Sequence, residues 1–136
     1  HQSTHSEALD AVARSLPALW RADKLQNKAA KAGFEWPGIQ QALDKLQEET
    51  GELRQAVESG GQVEEELGDV LFAAVKVGRF AGVDPEQALN KTCEKFIRRF
   101  RFVEQKMAGC GLSMERASLE EMMALWEEAK IEENKR

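Results

Sequence analysis

Apolar residues recur at spacings of three and four along most of the chain, which is the period of an amphipathic α-helix. No segment alternates apolar and polar residues in the manner of a β-strand. The pattern therefore predicts an all-α fold, a helical bundle of about five helices, with approximate bounds 17–32, 38–58, 62–81, 84–109 and 118–131.

The second and third predicted helices distribute their apolar residues differently. On the second helix, 100° per residue gives an expected core stripe of Ile39, Leu43, Leu46, Thr50, Leu53 and Val57. The third helix is apolar on nearly every side from Val70 to Val77, interrupted by Lys76. A helix of that kind is packed on several sides, so we expect it to be the central helix.

Local signals place the helix ends. Asp84 and Pro85 are typical of an N-cap and a first helical residue, and Ser118 with Glu121 forms a capping-box pattern. The pair Gly60-Gly61 indicates a turn between the second and third helices. Residues 1–15 are polar and weakly periodic, which predicts a flexible lead-in or linker before a single domain over residues 16–136.

Composition excludes several classes of function. The formal net charge of −5 argues against a binder of nucleic-acid polymers or anionic membranes. No apolar run approaches membrane-spanning length. Cys93 and Cys110 lack metal or redox spacing, so we expect free thiols and a cytoplasmic location. The chain begins with His1 rather than Met, which slightly favours a fragment excised from a longer protein.

Two acidic clusters flank the Gly-Gly turn. The first is Glu48, Glu49 and Glu52, and the second is Glu66 and Asp69. On a helical wheel Glu49 flanks the core stripe, Glu52 lies further round, and Glu48 points nearly opposite the core.

Like charges three or four residues apart on a helix repel by roughly 0.2–0.5 kcal/mol per pair. One interpretation is a solvated acidic face, aided on the third helix by the positive end of the helix dipole. The other is a divalent-cation site, because oxygen ligands alone suit Mg²⁺, with Mn²⁺ as a possible substitute. No histidine follows His5, which disfavours di-iron and zinc sites.

Four further blocks accompany the carboxylates: K-A-G-F-E-W (31–36), E-E-E-L-G-D-V-L-F-A (64–73), K-F-I-R-R-F-R (95–101) and L-W-E-E-A-K (125–130). In this order they resemble the C-terminal catalytic domain of the MazG-type nucleoside triphosphate pyrophosphohydrolases, an all-α superfamily, over roughly residues 16–130. The resemblance implies a homodimer that associates through packed helices. It also implies hydrolysis of nucleoside and deoxynucleoside triphosphates to the monophosphate and pyrophosphate.

The resemblance also implies roles for individual residues. Mg²⁺ ligands would be Glu49, Glu52, Glu66 and Asp69. Glu48 would support them or orient water, so that Glu48 and Glu49 are the catalytic candidates. Substrate-binding candidates are Lys28, Lys95, Arg99, Trp126 and Lys130, although core packing explains Trp126 equally well. A non-catalytic, dimeric regulatory or interaction module on the same scaffold is the alternative function.

Overall fold

A computed structural model describes residues 4–135, and within that range it contains six α-helices and no β-strand. The helices are α1 (His5–Asp10), α2 (Ala18–Lys31), α3 (Ile39–Ser59), α4 (Val63–Phe80), α5 (Pro85–Gly109) and α6 (Leu119–Asn134). The all-α prediction is confirmed, and the five predicted helices correspond to α2–α6. Within the described range, no helix is both long enough and apolar enough to cross a membrane.

The predicted helix boundaries follow from their capping groups. Ser118 accepts a hydrogen bond from the Glu121 N–H, and the Glu121 carboxylate accepts one from the Ser118 N–H, which completes the capping box of α6. At the start of α5, Asp84 Oδ1 accepts hydrogen bonds from the N–H groups of Glu86 and Gln87. The same oxygen accepts a 2.8 Å bond from the Trp20 indole, which fastens α2 to this turn.

The segment before residue 16 contains α1, which the sequence pattern does not predict. Thr4 and Glu7 form a capping box, α1 contacts α2, and Val12 is buried. Residues 1–3 of the predicted lead-in, and residue 136 of the predicted domain, lie outside the described range. Packing divides the chain into two compact units, one ending at Ala88 and the other beginning at Leu89. The single domain over 16–136 and the lead-in therefore stay predictions.

In the first unit, α3 and α4 form an antiparallel helical hairpin. Gly60 ends α3 in the left-handed region, at φ 72°, where glycine avoids the steric cost of a Cβ atom. Helix α4 also contacts α2, where the buried Gln26 side chain donates a 2.9 Å hydrogen bond to the Phe72 carbonyl oxygen. Within this unit, α4 is thus the helix that contacts both α2 and α3.

The buried face of α3 differs from the predicted stripe. Ala42, Glu49 and Ala56 are buried, whereas Leu43 and Val57 are exposed. The buried positions are one heptad apart, so they share one side of the helix. Small alanines on that side permit close approach of a neighbouring helix, and α4 is the helix that α3 contacts. The predicted core stripe was therefore wrong: the buried side of α3 is centred on Glu49, which flanks that stripe.

Helix α4 also leaves part of its apolar surface exposed. Leu67, Leu71 and Phe72 each keep at least two fifths of their surface accessible. In the second unit, the buried apolar residues are Val103 and Met107 of α5 and Ala129 of α6. Phe96 and Trp126 contact each other there, with ring centroids 5.3 Å apart.

Candidate active site on the α3–α4 hairpin

The hairpin brings together three carboxylates that are distant in sequence. Glu49 and Glu52 are three residues apart on α3, and Glu66 lies in the first turn of α4. One carboxylate oxygen from each of the three lies within 4.8 Å of the others. Because the α3–α4 turn reverses the chain, the acidic end of α4 returns beside the acidic stretch of α3.

Burial makes this carboxylate cluster, Glu49, Glu52 and Glu66, costly without a cation. Glu49 is only 7% exposed, and Oε2 atoms of both Glu49 and Glu66 are buried with no hydrogen-bond partner among the described residues. A hydrogen bond shared with Glu49, followed by that residue's charge, raises the pKa of Glu52. Unpartnered, buried oxygens within a cluster of three carboxylates fit a bound divalent cation, whose charge offsets their repulsion.

Lys45 partly neutralises the cluster from within α3. Its Nζ lies 3.0 Å from Glu49 and 3.6 Å from Glu48, and the hydrogen bond to Glu49 raises the pKa of Lys45. Glu48 itself is exposed and lies outside the group of three. Lys45 is thus a cationic neighbour of the site.

Asp69 is placed differently from the other predicted metal ligands. It follows Glu66 by three residues on α4 but is exposed, and it does not belong to the group of three mutually close carboxylates. Its surface lines a cavity that Glu49 also lines. Three of the four predicted ligands, Glu49, Glu52 and Glu66, therefore lie close together, and the fourth, Asp69, lies at the wall of the neighbouring cavity.

That cavity, of about 460 Å³, lies in the first unit beside the carboxylate cluster. It is lined by Gly33, Phe34, Glu35, Trp36, Ala42, Lys45, Glu49, Asp69, Phe72, Ala73 and Lys76. The wall is mainly apolar, with three aromatic side chains and two lysines. The carboxylates Glu35, Glu49 and Asp69 also line it, so its size and aromatic lining suit an organic ligand with a planar group, with any anionic part reaching the wall through a cation.

Glu35 fixes the loop that supplies part of this wall. Its Oε2 accepts a 2.6 Å hydrogen bond from Arg79 Nη2, and its Oε1 accepts one of 3.0 Å from the Trp36 N–H. Lys76 Nζ lies 3.5 Å from the same Oε1. Burial opposes ionisation, but the bonds from Arg79 and Trp36 and the two cationic charges outweigh it and lower the pKa of Glu35.

The predicted substrate-binding residues of the second unit form a separate group. Arg99 binds Glu133 through Nε and Nη2, at 3.1 and 2.9 Å from Oε2, and its guanidinium lies 5.8 Å from the Trp126 ring centroid. The hydrogen bond from Arg99 lowers the pKa of Glu133. Trp126 is half-buried between Arg99 and Phe96, so it both packs and keeps an accessible edge.

The remaining predicted cations are on three different helices. Lys28 is exposed in the last turn of α2, Lys95 is half-buried on α5, and Lys130 on α6 pairs with Glu127 at 3.4 Å. Sequence reasoning missed Lys45, Lys76, Phe72 and Glu35 as residues around the site. The available signal was the block K-A-G-F-E-W, together with a lysine inside the most apolar helix.

The chain is similar in sequence to known proteins. The family model of the MazG nucleotide pyrophosphohydrolase domain matches residues 38–103. A nucleoside triphosphate pyrophosphohydrolase from Escherichia coli (strain K12) is 45% identical over 136 residues, which cover 97% of this chain and 52% of that protein. A nucleoside triphosphate pyrophosphohydrolase/pyrophosphatase MazG from Thermotoga maritima is 39% identical over 115 residues, covering 85% of this chain and 45% of the relative. The chain thus spans about half the length of these curated relatives.

Proposed function

The chain belongs to the family of MazG nucleotide pyrophosphohydrolase domains, and on that premise we propose that it hydrolyses nucleoside triphosphates, ribo- and deoxyribonucleotides alike, to the monophosphate and pyrophosphate. The observation that carries this proposal is the carboxylate cluster, with its two unpartnered, buried oxygens, beside an aromatic-lined cavity. The names of the relatives support the reaction class.

The proposed cofactor is Mg²⁺, with Mn²⁺ as a substitute. Glu49, Glu52 and Glu66 would hold it, and Asp69, three residues after Glu66, would complete the ligand set. When bound, Mg²⁺ supplies positive charge that offsets the triphosphate and lowers the pKa of coordinated water. The donor set fits because it consists of carboxylate oxygens alone.

The protein's own residues then have distinct tasks. Glu49 is buried and paired with Lys45, so it would orient its neighbours, whereas Glu48 is exposed beside the same lysine and would accept a proton from water. The apolar cavity would hold the nucleoside and exclude water around it, with Lys76 and Lys45 supplying charge at its wall.

Further cations would bind the phosphates. We assign that role to Lys95, Arg99 and Lys130 of the second unit and to Lys28 of α2, with the accessible edge of Trp126 contacting the nucleotide. The planar Arg99 guanidinium suits this role, because its present partner, the Glu133 carboxylate, has the same fork-like geometry as two phosphate oxygens.

A homodimer is part of the proposal. Leu67, Leu71 and Phe72 leave an apolar side of α4 exposed in the single chain, and a second copy that packs its helices there would cover it. Light scattering of the purified chain measures this directly, and a Leu71→Glu variant should shift it to the monomer.

The test of the activity is release of pyrophosphate and nucleoside monophosphate from a panel of triphosphates with and without Mg²⁺. Glu49→Gln and Asp69→Asn should each abolish turnover, while Glu58→Gln, an exposed glutamate at the end of α3, serves as the matched control. Full activity in either of the first two variants would refute the ligand assignment. Dimerisation without turnover of any triphosphate would instead support the non-catalytic interaction module.

A further inference from the structure

The loop between α2 and α3 carries two exposed aromatic side chains, Phe34 and Trp36. Phe34 is 77% exposed and Trp36 42% exposed, yet both line the cavity beside the carboxylate cluster. Gly33, at φ 94°, and the bond from the Phe34 N–H to the Ala29 carbonyl fix the start of the loop. Phe34 in particular buries too little surface to hold the loop, so the contacts of the residue between the two aromatics contribute to its position.

The side chain between the two aromatics is the anchored one. Glu35 is 19% exposed, and its partners Arg79 and Lys76 are 11% and 14% exposed. Arg79 also donates from Nε to Asn27 Oδ1 at 3.0 Å. A single carboxylate therefore ties the loop to α4 directly and, through Arg79, to α2.

The two cations depend on this carboxylate. Lys76 and Arg79 are three residues apart on α4 and adjacent on its surface, so their charges repel. Arg79 Nη1 is already buried with no hydrogen-bond partner among the described residues. Because all three side chains are mostly withdrawn from water, removing Glu35 would leave charges that solvent screens poorly. An exposed ion pair would have no comparable effect.

We propose that Glu35 is a positioning residue for substrate: by binding Arg79, Lys76 and the Trp36 N–H, it holds Phe34 and Trp36 at the cavity wall, where they contact the nucleoside. This role rests on the proposed pyrophosphohydrolase function. Because Glu35 does not belong to the carboxylate cluster, its loss impairs substrate binding rather than the chemical step.

The experiment compares kcat and KM of the wild type with Glu35→Gln, Arg79→Gln, the double variant, and Glu128→Gln. Glu128 pairs with Lys106 at 3.9 Å on the exposed surface, which makes it a matched control for loss of a glutamate from an ion pair. We expect KM to rise about tenfold in each of the first two single variants with kcat changed less than about twofold, because binding and not chemistry is affected. The double variant should be no worse than the stronger single one, since both remove the same interaction.

Each outcome is decisive. A wild-type chain without turnover rejects the proposed function, and the positioning role falls with it. If the wild type turns over normally but KM is unchanged in Glu35→Gln, only the positioning role is rejected. The same holds if Glu35→Gln loses kcat at constant KM. An equal rise of KM in Glu128→Gln also rejects it. If Glu35→Gln does not fold, Arg79→Gln decides, because it leaves Glu35 paired with Lys76.

Discussion

Replacing Glu49 by glutamine should stabilise the metal-free protein, although most substitutions of buried residues destabilise. Glu49 lies within 4.8 Å of Glu66, and one oxygen of each is buried with no hydrogen-bond partner among the described residues. Glutamine preserves the shape of the side chain, removes one negative charge and adds an N–H₂ group that can donate to a neighbouring carboxylate. In the absence of metal, the variant therefore loses repulsion and gains a hydrogen bond.

The magnitude follows from the same geometry. Two unit charges at 4.8 Å in an effective dielectric of about 20 repel by about 3 kcal/mol. The lost pair with Lys45, an i,i+4 contact whose ammonium is screened by solvent, offsets part of this. A net gain of about 1–2 kcal/mol remains, which raises Tm by about 3–8 °C for a chain of this size.

Differential scanning fluorimetry measures Tm in EDTA, which tests the gain in stability without metal. The same assay across a MgCl₂ titration measures how strongly Mg²⁺ stabilises each variant. The wild type should gain about 2.7 kcal/mol at a Mg²⁺ concentration of 100 Kd, whereas Glu49→Gln should respond weakly. The variant is thus the more stable protein in EDTA and the less responsive one in Mg²⁺. Glu58→Gln, on the same helix, should follow the wild type in both conditions. A lower Tm for Glu49→Gln in EDTA, or equal Mg²⁺ responses, would refute the reasoning.

Three further predictions concern other contacts. Arg99→Ala should raise KM about tenfold and leave the Mg²⁺-induced rise in Tm unchanged, with the exposed Arg101→Ala as control; an altered metal response would contradict its assignment to phosphate binding. Asp84→Ala should lower Tm at pH 7 by roughly 3–4 °C, because it removes the α5 cap and the Trp20 bond, and an unchanged melting curve would exclude that role. Burial opposes ionisation of Glu35, but the bond from Arg79 and the other interactions of the ionised form outweigh it and lower the pKa. The ionised Glu35 therefore stabilises the fold fully above the unfolded carboxyl pKa of about 4.3. This stabilisation is lost as pH falls through the lower pKa of the folded state. The Tm difference between the wild type and Glu35→Gln should therefore be constant from about pH 7 to 5 and shrink below about pH 4; a difference that persists in acid would show that charge is not its source.

Most of the secondary structure was predictable because its signals are local. The Ser118–Glu121 capping box, the Asp84 cap before Pro85 and the glycine turn at residue 60 each act within a few residues of the helix end they define. Such contacts can be predicted from the sequence without knowledge of the fold. Helix α1 escaped prediction because six residues are too few for apolar periodicity to be visible.

The buried side of α3 was not predictable in the same way. A helical wheel ranks positions by hydrophobicity, and Leu43 and Val57 ranked above Ala42 and Ala56. Which side α4 covers depends on how closely two helices can approach, and small side chains permit the closer approach. The anchor at Glu35 was equally hidden, because its partner Arg79 is 44 residues away and nothing in the local pattern pairs them.

The mistaken stripe explains why the site lies where it does. Glu49 occupies a buried position between Ala42 and Ala56, one heptad from each. An apolar residue there would pack α3 against α4 without electrostatic cost, and this carboxylate instead brings repulsion that Lys45 only partly offsets. Proteins retain unfavourable buried charge of this kind where function requires it. The placement of Glu49 in the seam of the hairpin is therefore a stronger argument for a cation site than the number of acidic residues around it.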